Sequence, residues 1–167
     1  MRLGIVGLGV VGSAIKYGFE KLGHTVVCHD IKLTTTIEDL VDTDICYICV
    51  PTPSEEGGAC DVTVVEEIIA DLNSLCHKGI VAIKSTVVPG TTVRLQKQYP
   101  DLDICFVPEF LRERCAEVDF TEQHDLCVIG TEDEWVYEQV KLSHGKYPKS
   151  IKQLSPTEAE LAKYFNN

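Results

Sequence analysis

The glycines of Gly7-Leu8-Gly9-Val10-Val11-Gly12 have the spacing of a phosphate-binding turn. Between a strand and a helix, a G-x-G-x-x-G turn brings bare backbone N–H groups and the positive end of a helix against a pyrophosphate. In that arrangement Gly7 permits the tight turn, Gly9 lets the backbone approach the phosphates, and Gly12 lets the helix pack closely on the strand. Val10 and Val11 then open the helix that faces the ligand. The motif alone is a weak signal. Here an acidic residue, Asp30, ends the next strand-like run, where a carboxylate accepts hydrogen bonds from an adenosine ribose. A carboxylate in that position repels a 2′-phosphate, so the pattern points to NAD over NADP, with Lys32 near enough to soften the preference. The competing reading is a glycine turn in a fold that binds no nucleotide, or a different one.

Three later segments also carry polar groups where apolar runs end: Val50-Pro51-Thr52-Pro53, Lys84-Ser85-Thr86 running on to Thr92, and Val107-Pro108-Glu109-Phe110-Leu111-Arg112-Glu113. An open α/β sheet places its ligands at such strand ends. Proline stiffens these loops and removes backbone donors. Their Ser, Thr and Glu side chains can orient a water or a substrate hydroxyl. Taken singly, Ser85, Thr86, Thr91 and Thr92 also read as a turn and helix cap. Glu109 and Glu113 read equally as solvated acids, and Lys163 as a surface lysine.

The elements that must position these groups alternate along the chain. Strand-like runs cover Arg2 to Val6, Thr25 to His29, Asp44 to Val50, Gly79 to Lys84, Leu102 to Val107, Leu126 to Gly130 and Ser150 to Leu154. Helical spacing covers Val10 to Leu22, Val64 to Cys76, Gly90 to Tyr99 and Asp133 to Leu142, with a short amphipathic piece at Ile37 to Val41. Ser155-Pro156-Thr157-Glu158 reads as an N-cap with proline at the first helical position. This order predicts an α/β fold: one doubly wound, Rossmann-type parallel sheet with helices on both faces.

At 167 residues and 44 % hydrophobic, the chain has material for one buried domain. Its 26 acidic against 15 basic residues, a formal charge of −11, argue against a nucleic-acid surface. No apolar run is long enough to suggest a membrane span. The eight cysteines fall largely inside apolar runs, where cysteine behaves as a small buried hydrophobe. With no secretory signal, they are expected reduced and the protein cytoplasmic. Cys46 and Cys49 form a C-x-x-C, but their side chains face opposite sides of a strand and no second pair stands at ligand spacing, so no metal site is expected.

VPTP, KSTVVPGTT and PEFLRE, followed by the closing Ala159-Glu160-Leu161-Ala162-Lys163-Tyr164-Phe165-Asn166-Asn167, together resemble the UDP-glucose/GDP-mannose dehydrogenase family. The resemblance is to the family's N-terminal NAD-binding domain and spans nearly the whole chain. It implies a reaction in which the primary alcohol of a sugar nucleotide is oxidised twice to a carboxylate, reducing two NAD. It further implies that Gly7 to Gly12, Asp30 and Lys32 surround the cofactor's adenosine and phosphates. Val50, Pro51, Thr52, Ser85 and Thr86 would line the nicotinamide side, and Glu113 would touch the cofactor. Thr86 and Glu109 would position or activate a water, and Phe110, Leu111 and Arg112 would offer backbone contacts to the sugar nucleotide. Lys163 and Asn167, four residues apart on one helix face, would stabilise an oxyanion.

The match departs from the family in three places. Val107 stands where asparagine is common, and Arg114 where glycine is usual, which bears on the substrate. The family's nucleophilic cysteine belongs to a C-terminal-domain motif with no counterpart in these residues, so complete alcohol-to-acid turnover by this chain alone is not expected. Residues 1–155 are expected to form the NAD-binding domain, and 156–167 the start of a truncated central helix. The apolar face of that helix (Leu161, Tyr164, Phe165) offers a surface to a second copy or to a complementing C-terminal domain. UDP-glucose is the first-choice substrate over GDP-mannose and UDP-N-acetyl sugars. Two other functions stay open: a dehydrogenase of the 6-phosphogluconate or 3-hydroxyacid type, and a stand-alone nucleotide-binding accessory module.

Overall fold

Strands and helices alternate through the computed structural model, which describes residues 1–54, 58 and 60–166. The strands are β1 (Arg2–Val6), β2 (Thr25–His29), β3 (Ile45–Ile48), β4 (Ile80–Ile83), β5 (Asp103–Phe106), β6 (Leu126–Gly130) and β7 (Ser150–Leu154). The helices are α1 (Val10–Lys21), α2 (Thr63–Ser74), α3 (Thr91–Gln98), α4 (Ala116–Thr121), α5 (Glu134–His144) and α6 (Pro156–Asn166). Between β2 and β3 there is only a single 3-10 turn, Ile37–Leu40. The strands form one sheet in the order β2-β1-β3-β4-β5-β6-β7.

Pairings from β2 through β5 are parallel, as expected. The fully parallel sheet read from the sequence is nevertheless corrected at one junction. β6 runs antiparallel to β5, meeting it through Phe106 and Gly130, and β7 then runs parallel to β6. A parallel strand would need a crossover long enough to return along the sheet. Segment 108–125 holds only a 3-10 turn and the six-residue α4, so the chain stays above the strand ends and β6 descends from there.

Strand alternation builds a core on each face of the sheet. Leu3, Ile5, Ile45, Tyr47, Ile80 and Ala82 meet Ile15 and Phe19 of α1 and Val136 and Val140 of α5. On the other face, Val6, Cys46, Ile48, Val81 and Ile83 meet Val65, Ile69 and Leu72 of α2, Leu95 of α3 and Ala159 of α6. Cys46 and Cys49 pack on opposite faces, and all eight cysteines are unpaired. The outer strand β2 is only half covered, unlike the fully buried β3 and β4. No helix of the described residues is long and apolar enough to cross a membrane.

A polar knot lies inside the α1 face. Tyr47 Oη is 2.7 Å from Ser143 Oγ, and His144 Nδ1 is 2.9 Å from the Val140 carbonyl. His144 Nε2 and His124 Nδ1 are buried with no partner among the described residues. Burial first, and the Lys84 ammonium second, push His124 down to about 4 and His144 well below the ordinary histidine value of 6.5. Both rings therefore stay neutral in the fold while the unfolded chain takes up protons near pH 6.5. Their contribution to stability is complete above that pH and is lost as pH falls towards about 4, a loss on the order of 3 kcal/mol for His124 alone. Thermal unfolding followed by circular dichroism is expected to show this fall over that window and to show less of it for His124→Phe. A variant with the wild-type pH dependence would contradict the assignment.

Candidate functional site

The order β2-β1-β3 places a topological switch at the carboxyl end of β1, where the chain turns through Gly7–Gly9 into α1. Gly7 takes φ +90°, and a Cβ there would lie 2.7 Å from the Cys49 carbonyl oxygen. A Cβ on Gly12 would overlap the Gly7 carbonyl. Both glycines are thus set by close backbone approach, one against the loop after β3 and one against the turn itself. Gly9 has nothing within 4 Å of its missing Cβ and faces open space. No side chain caps α1 and no acid occupies its first turn, so its leading N–H groups remain available to an anion.

Asp30 is engaged more closely than its expected role requires. One carboxylate oxygen accepts from the Leu8 N–H at 2.7 Å and the other from the Lys32 N–H at 3.0 Å. These bonds, Leu8 foremost, hold its carboxyl below the usual range. Asp30 therefore braces the glycine turn while its remaining lone pairs stay free to accept. Lys32 contributes its backbone to this brace; its side chain is exposed and does not line the cleft described next.

A cleft of about 300 Å³ opens between the strand ends. It is lined by Gly9, Val10 and Val11 after β1, by Val50, Pro51 and Thr52 after β3, and by Ser85 and Thr86 after β4. Glu109 and Glu113 close it from the loop after β5. All ten were read from the sequence as site residues. Two lining residues were not, Cys49 and Lys84. Lys84 is nearly fully buried, donates to the Val107 carbonyl at 3.1 Å and lies 5.8 Å from the Tyr47 ring centre. The available signal was a lysine ending an apolar strand, since lysine is seldom buried without a partner. Of the cysteines flanking the loop after β5, Cys105 is wholly buried in the core and Cys115 Sγ lies 3.5 Å from Asp119 Oδ1. The cleft thiol is Cys49, which burial pushes up to about 12.

Ser85 is more a strut than a ligand, since its hydroxyl donates to the Val50 carbonyl at 2.7 Å and ties the loops after β3 and β4 together. The Thr86 hydroxyl makes no hydrogen bond among the described residues. Glu109 meets Lys163: the ammonium lies 2.8 Å from one carboxylate oxygen and 2.6 Å from the Glu109 backbone carbonyl. The other oxygen accepts from Leu111 N–H at 2.7 Å. A second cavity, of about 410 Å³, lies beyond this pair, with Lys84, Glu109, Phe110, Leu111 and Arg112 in its wall.

Arg112 is largely committed elsewhere. Its guanidinium grips the buried Asp119 at 2.6 and 3.0 Å, and its N–H meets the same carboxylate at 2.8 Å. With the Leu111 and Arg112 N–H groups both engaged, the backbone contacts expected of this loop reduce to its carbonyls and the Phe110 N–H. Asn167 lies outside the described residues.

Glu160 was missed altogether. It is fully buried, accepts from the N–H groups of Gly90 at 2.5 Å and Thr92 at 2.8 Å, and takes the Thr92 hydroxyl at 2.6 Å. One turn later on α6, Lys163 holds Glu109. Two charged side chains on one helix face thus fasten the loops after β4 and β5 on either side of the cleft. The only signal was the i, i+3 spacing of Glu160 and Lys163, which by itself resembles a surface pair.

Residues 31–144 match the sequence model of the UDP-glucose/GDP-mannose dehydrogenase family, NAD binding domain. The chain is 32 % identical to UDP-glucose 6-dehydrogenase AglM of Haloferax volcanii in an alignment of 219 positions, covering all of this chain and 50 % of that protein. Among solved structures, a UDP-glucose dehydrogenase from Pyrobaculum islandicum superposes with a TM-score of 0.87 at 28 % identity, over 98 % of this chain and 48 % of that one. A ternary complex of GDP-mannose dehydrogenase from Pseudomonas aeruginosa gives 0.85 at 25 %, over 99 % and 49 %. The chain spans about half the length of the curated relatives it matches.

Removing the Glu160 carboxylate leaves two N–H groups and a hydroxyl without their acceptor, two of these donors buried. Glu160→Ala is expected to cost roughly 3 kcal/mol and to lower the unfolding midpoint by about 6–12 °C, with Glu160→Gln milder. An unchanged midpoint for the alanine variant would show that the clamp carries no weight.

Proposed function

The chain belongs to the UDP-glucose/GDP-mannose dehydrogenase family through its NAD-binding domain, and from that premise we propose that it forms the cofactor half of a sugar-nucleotide 6-dehydrogenase site. The observation that carries this reading is one cleft uniting the uncapped start of α1, the loops after β3 and β4, and Glu109 beside Lys163. The cradle suits a dinucleotide: open space at Gly9, no acid in the first turn of α1, and a carboxylate at the end of β2. The N–H groups of Val10, Val11 and Gly12 hold the pyrophosphate, and Asp30 accepts from the adenosine ribose. Val50, Pro51, Thr52, Thr86 and Glu113 line the nicotinamide end, while Ser85 keeps two of these loops in register.

Bound NAD supplies a hydride acceptor. The chain's own part is to manage the substrate hydroxyl. Lys163 lies against Glu109 and offers its ammonium to the negative charge that develops on the alcohol oxygen as its proton leaves. Glu109, with Thr86 across the cleft, orders the water or hydroxyl that receives the proton. The substrate is a small-molecule sugar nucleotide, with UDP-glucose ahead of GDP-mannose in keeping with the higher identity to the UDP-glucose relative. A second oxidation through a covalent intermediate needs a thiolate. Burial holds Cys49, the thiol that lines the cleft, protonated and unsuited to that role. Eight unpaired cysteines fit a cytoplasmic setting.

Isothermal titration calorimetry tests the cofactor half. One NAD per chain is expected, with NADP at least about tenfold weaker and Asp30→Ala weakening NAD by about tenfold, near 1.4 kcal/mol. No heat with NAD, or equal affinity for NADP, would overturn the reading. With UDP-glucose and NAD supplied to the chain alone, no uronate is expected to accumulate; its appearance would contradict the assignment of Cys49 as inert.

A further inference from the structure

We propose that β2 is a pairing edge, and that its partner is β2 of a second copy of this chain, antiparallel about Val27. In the usual doubly wound order a further strand lies outside the second one. Here residues 30–44 run from β2 to β3 with one 3-10 turn, and the sheet ends on β2. The Thr25 N–H donates to the Met1 carbonyl and the His29 carbonyl accepts from Gly7, so Thr25, Val27 and His29 turn their backbone groups towards β1. Strand alternation then points the N–H and carbonyl groups of Val26 and Cys28 outwards, with no partner among the described residues.

Sheet edges are normally guarded by charge, proline or a bulge. The opposite edge follows that rule, with Lys152 inside β7 and Lys149 just before it. β2 reads Thr-Val-Val-Cys-His and carries no such guard. Ile31, just past its end, is 95 % exposed.

A two-fold interface must complement itself, and this edge does so in one register. Centred on Val27, Val26 lies opposite Cys28 of the other copy. Both have outward backbone groups, so each such pair exchanges two N–H···O bonds. The same register sets Asp30 opposite His24, whose ring nitrogens are held within the chain by the Met1 amine and the Ser143 carbonyl, so the two Asp30 carboxylates stay apart. A parallel arrangement would instead stack Asp30 on Asp30. In a chain of formal charge −11, a strand without Asp, Glu, Lys or Arg, in a register that keeps the two Asp30 carboxylates apart, is a surface on which two copies meet without like-charge contact.

Sedimentation of the chain over a concentration series is expected to show a species of twice 18.5 kDa. Val26→Pro removes an outward N–H while sparing the bonds to β1, and is expected to shift the chain to monomer. Val27→Cys places two thiols across the two-fold axis at the closest inter-strand spacing, and is expected to give an oxidised, covalently linked dimer that Phe165→Cys on α6 does not. A chain that stays monomeric at every concentration would overturn the proposal. So would a dimer that survives Val26→Pro and is lost in Phe165→Asp, or efficient cross-linking only through position 165.

Discussion

The carbonyl of Gly7 occupies the space that a side chain at residue 12 would need, and the rest of the site follows from that contact. It lets the first turn of α1 sit against the end of β1 and brings its unpaired N–H groups to the sheet's carboxyl edge. Gly7 in turn lies against the Cys49 carbonyl, which draws the loop after β3 to the other side of the same opening. Asp30 reaches from β2 to the Leu8 N–H and fixes the turn between them. Three strands thus converge on one small volume, two of them through backbone contacts that a larger residue would prevent and the third through the Asp30 carboxylate.

The far wall of the cleft is held differently, by charge. Glu160 and Lys163, one turn apart on α6, fasten the loops after β4 and β5, and Ser85 joins the first of these to the loop after β3. Arg112 and Asp119 then pin the outer part of the β5 loop to α4. The Glu160 and Lys163 contacts are largely shielded from water, so a partner withdrawn there leaves a buried polar group behind. The wall is therefore rigid where it faces the cofactor cleft. Glu109 is more exposed than the Lys163 it meets, 17 % against 6 %, as suits the substrate-facing role proposed for it.

Much of this was legible in the sequence because local signals and global fold agree. Apolar runs, helix caps and the glycine turn each specify their element, and strand ends specify where the loops gather. The antiparallel β6 was not legible: residues 108–125 carry no pattern that says whether the chain crosses back along the sheet. Neither was the role of Glu160, since an acid and a lysine at i, i+3 look alike on a surface and in a clamp. Cys49 was hidden because it lies in an apolar run and reads as a small buried hydrophobe, and Lys84 because a lysine at a strand end gives no sign that it will be buried. Asp30 was read at the end of its strand, but its brace on the glycine turn was not, because a backbone N–H brought close by folding leaves no trace in residue types.

The proposed site sets the cofactor's phosphates against the uncapped start of α1. The most direct measurement is an amide-resolved NMR titration of the ¹⁵N-labelled chain with NAD. The largest shifts are expected on Gly9, Val10, Val11 and Gly12, with smaller ones at Leu8 and Asp30 and in the loops after β3 and β4. Saturable binding with those amides unmoved, and the changes gathered instead around α5 or β7, would contradict that placement.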